Sequence, residues 1–269
     1  MFLRRTSAVF LALFWTSAAV AAFDQFPPGA RAGGLGLSFV ALANDPTAVV
    51  ENPAGLAFLP GPQFCSFYSR PFGLKELETV FLGAGVPFQR AGLGLALNRF
   101  GFRRYREEMV FFALGWRATP RFSVGVSFFF GQLTIPNYWK AHTFGFNLGY
   151  LYRLSPRIFV AGSVKNAGHA TLASGESLPQ ELNAGVAWLA GKTALVSFQA
   201  FKTLRFPVSL RTGAEWTFFR RFTLRSGFLT QPARLAFGFG LRFGRFQLDY
   251  AYLSHATLGG TQQISFSFR

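Results

Sequence analysis

Cysteine is nearly missing: Cys65 stands alone in 269 residues. One thiol excludes an intramolecular disulfide framework and a thiolate zinc site. Acids are scarce, with 11 Asp and Glu against 27 Lys and Arg, a net charge of +16. Charged residues make up 14% of the chain, below the roughly 25% of a soluble globular protein. The three histidines, His142, His169 and His255, are far apart in sequence. No H-E-x-x-H or G-x-S-x-G motif uses them. We therefore expect no cofactor, no metal and no enzymatic activity; the enzymatic alternative is a Ser/His pair assembled in space. Past residue 22, no apolar run approaches the ~18 residues that mark a membrane-spanning helix.

What is present is apolar and aromatic. Half the residues are hydrophobic, 36 are Phe and 29 are Gly. Such a chain has ample material for a folded interior and is not disordered. Residues 1–22 read as a signal peptide. Arg4 and Arg5 precede the apolar stretch from Ala8 to Trp15, and Ala19-Val20-Ala21 fits an A-x-A cleavage site. Cleavage one residue later also fits. Removal of Arg4 and Arg5 leaves 25 − 11 = +14. An exported chain rich in aromatics and without long apolar runs is either a soluble β protein or a membrane barrel.

The body alternates with period two. Phe144, Phe146, Leu148, Tyr150 and Tyr152 fall on one strand face; Thr143, Gly145, Asn147 and Gly149 fall on the other. The same alternation places Val110, Phe112, Leu114 and Trp116 opposite Ala113, Gly115 and Arg117. Three features favour a membrane over a soluble sandwich. The runs are about ten residues long, as a tilted transmembrane strand requires. Trp116, Trp188, Trp216, Tyr150 and Tyr152 sit near strand ends, where interfacial girdles form. The second face is small and polar, rich in Gly, Ser, Asn and Thr. The predicted fold is all-β: a transmembrane antiparallel β-barrel of about 14 strands spanning 63–269, preceded by a plug or hatch segment at 23–62. An even count puts both chain ends in the periplasm.

Short turns are expected near Gln89, Pro120, Ser155, Gly191, Arg220 and Gly244, with longer outer links at 101–107, 135–140 and 167–179. The short turns carry Arg90, Arg117, Arg121, Arg153, Arg157, Lys192, Arg220, Arg221 and Arg245 and no acid. Such cations either snorkel to lipid phosphates or dock an acidic periplasmic partner. Nucleic acid is a poor partner for an exported barrel. On the inner face, Glu215 and Asp249 accompany Arg211, Arg225 and Arg242. Opposed charges in a lumen tie wall to plug, or else line a pore and tune selectivity.

Residues 27–59 break the alternation. Asp45 with Pro46, and Asn52 with Pro53, read as helix starts, and the glycines at 33, 34 and 36 permit close backbone packing. No phosphate-binding glycine motif occurs. The run Gly29-Ala30-Arg31, Gly34-Leu35-Gly36, Phe39–Ala43, Asp45-Pro46-Thr47-Ala48 and Asn52-Pro53-Ala54-Gly55-Leu56-Ala57 resembles the opening of PorV/PorQ-family outer-membrane proteins. These lie within the superfamily of FadL-type transporters for fatty acids and aromatic hydrocarbons. The ending, with Leu248-Asp249-Tyr250-Ala251-Tyr252, His255 and Ile264-Ser265-Phe266, resembles that family too. The resemblance implies a fourteen-stranded barrel with an amino-terminal plug in the outer membrane of a diderm bacterium. Two features depart from it. The chain ends on Arg269 after Phe268, where barrels commonly end on an aromatic. The longest outer loop, about a dozen residues, is short for a large capture site.

Two functions follow as expectations. One is passive transport of small hydrophobic compounds. The other is a barrel that docks or shuttles substrates for secretion, as PorV-type proteins do in type IX secretion, or a purely structural barrel. The expected partners are outer-membrane lipids, with either a small hydrophobic substrate or secretion components.

Overall fold

A computed structural model describes residues 22–23, 28–173, 175–204 and 206–269. The proposed signal peptide lies outside these residues except for Ala22. Among the described residues the chain forms fourteen strands. They are β1 (Gln63–Arg70), β2 (Thr79–Phe88), β3 (Ala91–Phe102), β4 (Tyr105–Arg117), β5 (Phe122–Ile135), β6 (Trp139–Arg153) and β7 (Ile158–Lys165). The second half comprises β8 (Glu181–Leu189), β9 (Ala194–Thr203), β10 (Ser209–Phe218), β11 (Phe222–Thr230), β12 (Ala233–Phe243), β13 (Phe246–Leu253) and β14 (Thr261–Phe268). Each strand pairs antiparallel with its sequence neighbours, and β1 pairs with β14, for instance Phe67 opposite Ser265. Closure leaves no sheet edge, so lipid meets no unpaired backbone. Among the described residues no helix is long and apolar enough to cross a membrane; the strands do so instead.

Alternation sorts the two faces. Phe112 (62% exposed), Phe237 and Leu235 point outward, while Phe111, Ala113 and Ala236 are buried. Nothing but lipid accommodates so many outward Phe and Leu side chains on a closed barrel. Trp116, Trp188, Trp216, Tyr150 and Tyr152 are all exposed on the outer face, and all lie toward one end. That end, the turn end, carries the tight links 89–90, 118–121, 154–157, 190–193, 219–221 and 244–245. Arg90, Arg121, Arg157, Lys192, Arg220, Arg221 and Arg245 are exposed there.

The opposite, loop end differs from expectation. The links at 103–104 and 136–138 are as tight as turns, because β3 to β6 run on for 12 to 15 residues and absorb the loops expected at 101–107 and 135–140. The links 71–78, 204–208 and 254–260 are longer, and the segment 166–180 is the longest. It folds back onto β6, where Asn166 N–H donates to Asn147 Oδ1 (2.9 Å) and Ala167 N–H to the Phe146 carbonyl (2.9 Å). Ala170, Leu172 and Leu178 are thereby buried.

The inner face also departs from a small and polar surface. Phe67, Phe81, Phe111, Phe129 and Leu133 are buried inside the barrel, with the Phe111 and Phe129 rings 6.0 Å apart. Large apolar side chains fill lumen where the plug does not, and glycines line it where the plug backbone presses.

Candidate functional site: the plugged lumen and its vestibule

The plug occupies the lumen as two short helices, α1 (Ala30–Gly34) and α2 (Ala48–Glu51), and a 3-10 segment, Pro53–Phe58. Asn52 starts the last of these: its Oδ1 accepts from Ala54 N–H (3.2 Å), with Pro53 in the first position. Its amide also donates to the carbonyls of Val40 (3.0 Å) and Tyr150 (3.1 Å), joining plug to wall. Asp45 does not cap a helix directly. Its Oδ1 accepts from Thr47 N–H (3.0 Å) and Thr47 Oγ1 (2.5 Å), closing a turn, and α2 begins only at Ala48. Pro46 lies inside that turn because its fixed φ suits it.

Wall glycines make room for this backbone. A Cβ at Gly125 would strike the Ala54 nitrogen and the Pro53 carbonyl carbon; one at Gly115 would lie 2.6 Å from the Pro53 oxygen. On the opposite side Gly213 and Gly227 receive Leu35 and Gly36, and Gly34 meets Gly238 backbone to backbone. Gly36 has φ +61, so it combines close approach with a conformation that disfavours other residues. Gly29, too, has positive φ, and Gly55 packs against the Ala43 carbonyl.

The plug's polar groups find partners on the wall, as buried groups must. Gln199 Oε1 accepts from the N–H groups of Phe39 (2.8 Å) and Val40 (2.9 Å), and Ser197 Oγ donates to the Ser38 carbonyl (2.9 Å). Ser123 Oγ donates to the Ala54 carbonyl (3.0 Å), and Arg117 donates to the Ala57 carbonyl (2.6 Å). Phe58 beneath them lies 3.7 Å from the Arg153 guanidinium and 5.0 Å from that of Arg117.

Two charge clusters join plug and wall. In the first, Arg31 grips Glu215 with Nε at 3.0 Å and Nη2 at 3.2 Å, and donates to Asn44 Oδ1 (3.1 Å). Arg225 bridges Glu215 (2.7 Å) and Asp249 (2.8 Å). Gln247 donates to both Asp249 oxygens and accepts from Arg242 (3.1 Å). Four of the five wall charges singled out in the sequence thus belong to one network. Arg211 stands apart: its guanidinium stacks on the Phe201 ring at 3.7 Å.

The second cluster escaped the sequence reading. Glu51 of α2 lies 3.6 Å from Lys165, which also meets Glu181 at 3.2 Å. Burial pushes the Glu51 carboxyl above the usual carboxylate range, against the opposing pull of Lys165. Glu51 follows an apolar pair in the plug and Lys165 ends a strand, so no local pattern links them.

At the loop end a cavity of about 570 Å³ opens above the plug. Leu37 of the plug forms part of its floor, Phe72, Phe201, Phe206 and Leu229 line it, and Arg211 and Arg234 stand on its wall. At the turn end a second cavity of about 300 Å³ lies beneath, bounded by Phe58, Arg153, Lys192 and the Arg31–Glu215 pair. The plug separates the two. Among the described residues no group of three or more His, Cys, Asp or Glu is placed to hold a metal.

No family model matches the sequence, and no curated protein matches it. Solved structures do match. The toluene transporter TbuX of Ralstonia pickettii superposes with a TM-score of 0.68 at 16% identity, over 92% of this chain and 99% of that one. A FadL homologue of Pseudomonas aeruginosa gives 0.64 at 13% identity, over 90% and 98%. The toluene transporter TodX of Pseudomonas putida gives 0.64 at 13% identity, over 90% and 97%. This chain has the closed fourteen-strand fold of the FadL-like outer-membrane barrels.

Proposed function

We propose that the protein sits in the outer membrane of a diderm bacterium and passes small hydrophobic compounds inward. The observation that carries this reading is the apolar vestibule at the loop end, ringed by Phe72, Phe201 and Phe206 and floored by the plug. Concave, largely apolar sites of a few hundred Å³ suit small ligands. The likeness in fold to toluene transporters supports the same reading. Passage then requires the plug to shift, because it divides the vestibule from the turn-end cavity. The test is uptake of a small neutral arene into vesicles whose outer leaflet is lipopolysaccharide, a layer that slows such solutes. The wild-type barrel should accelerate uptake over protein-free vesicles, and a variant lacking residues 27–59 should accelerate it further and raise conductance. Uptake equal to that of protein-free vesicles in both cases refutes transport.

A PorV/PorQ-like accessory role in secretion is the second reading. The cationic rim favours it: all six tight links at the turn end carry Lys or Arg among their residues and none carries an acid. Co-purification with secretion components from the native envelope supports it; their absence, with arene uptake intact, removes it.

A further inference from the structure

Ala22 and Phe23 are buried, at 5% and 8% exposure. Phe23 lines a small interior cavity with Met109, Phe111, Phe129 and Leu178, and a Cβ at Gly131 would lie 3.2 Å from its ring. The Ala22 nitrogen lies 3.4 Å from Glu176 Oε1, in the loop-end segment 166–180. Two independent observations meet at this atom. Cleavage directly after the A-x-A pattern at 19–21 would leave Ala22 as the first residue, and the fold brings a carboxylate to that nitrogen. Glu176 has no ion-pair partner among the described residues.

We propose that removal of the export signal between Ala21 and Ala22 creates an α-ammonium that pairs with Glu176 and latches the amino terminus beneath segment 166–180. In the cleavage, water adds across the peptide bond. Ala21 departs as the carboxylate end of the signal, and Ala22 keeps the nitrogen, which takes up a proton. Cleavage precedes folding, because Ala22 is buried once the barrel closes. A buried amide N–H is satisfied by any acceptor, whereas a buried ammonium needs an opposite charge. Glu176 provides it. The latch holds Phe23 in its cavity and so closes that part of the lumen from the loop end. This inference does not depend on what the barrel transports.

Mass spectrometry of protein purified from the outer membrane, before and after acylation, tests the proposal. Acylation at about pH 7 favours an α-amine, with a pKa near 7.7–8.0, over lysines near 10.4. The expected amino-terminal peptide starts at Ala22. It should resist acylation in the folded wild type and react in the urea-unfolded chain. E176Q should expose the amine, while E176D, which keeps the carboxylate, should retain much of the protection. A heat-modifiable gel shift verifies that each variant is a closed barrel. A chain starting at any other residue overturns the proposal, as does equal labelling of wild type and E176Q.

Discussion

Arg31→Met is the sharpest probe of how the plug is held. In the wild type, Glu215 receives Arg31 Nε at 3.0 Å, Arg31 Nη2 at 3.2 Å and Arg225 Nε at 2.7 Å. The substitution removes two of these three bonds. The cluster of Arg31, Arg225, Glu215 and Asp249 then passes from balanced charge to one excess negative. Breaking a buried pair by removing one partner costs about 3–5 kcal/mol, and the bond to Arg225 that Glu215 keeps puts this change at the lower end. The side chains of Arg31 and Glu215 retain 14% and 13% exposure, so water offsets part of the loss and the lower figure, about 3 kcal/mol, applies. Urea unfolding in lipid vesicles, followed by tryptophan emission, measures it. The decisive comparison is the double variant Arg31→Met with Glu215→Gln. That pair of changes leaves Arg225 and Asp249 matched at 2.8 Å, so the double variant should be more stable than Arg31→Met alone. A loss below about 0.5 kcal/mol for Arg31→Met, with no coupling in the cycle, would refute the idea that this cluster anchors the plug.

Gly125→Val drives a side chain into the Ala54 nitrogen and Pro53 carbonyl carbon; the expected result is a displaced plug, read as raised single-channel conductance with the barrel still closed. Phe112→Arg puts a charge on the lipid face near mid-strand and should cost about 2–4 kcal/mol in vesicle unfolding, whereas the same change at exposed Phe219 in a turn should cost little. Glu51 is protonated more readily in the folded protein than in the unfolded chain, so the folded state binds the extra proton and stability falls as pH rises from the ordinary carboxylate value through the raised one. Glu51→Gln should flatten that slope in unfolding measured across the same pH range.

The barrel was legible because a strand's environment is written locally. Outward Phe, Leu and Trp recur at every second position along the strands, since lipid covers one face along its whole length. The barrel was read to begin at 63, and β1 starts at Gln63. The loop-end links were misread because Gly101 and Asn137 look like loop residues, yet Gly101 is carried within β3 at positive φ and Asn137 fills a three-residue turn.

The sequence by itself determined the fold class, the strand number, the turn end with its cations and the identity of the plug, all of which depend on periodicity and on residue types within a few positions of one another. Tertiary structure alone decided which charges meet. Arg31 and Glu215 are 184 positions apart, and only closure of the cylinder around the plug brings them together. The same holds for Glu51 with Lys165 and Glu181, for the Gln199 carbonyl that serves two plug amides, and for the vestibule that brings Phe72 of the β1–β2 link to Phe201 and Phe206 of the β9–β10 hairpin. Local pattern reports which face a side chain takes; barrel closure and plug docking fix what lies opposite it across the lumen.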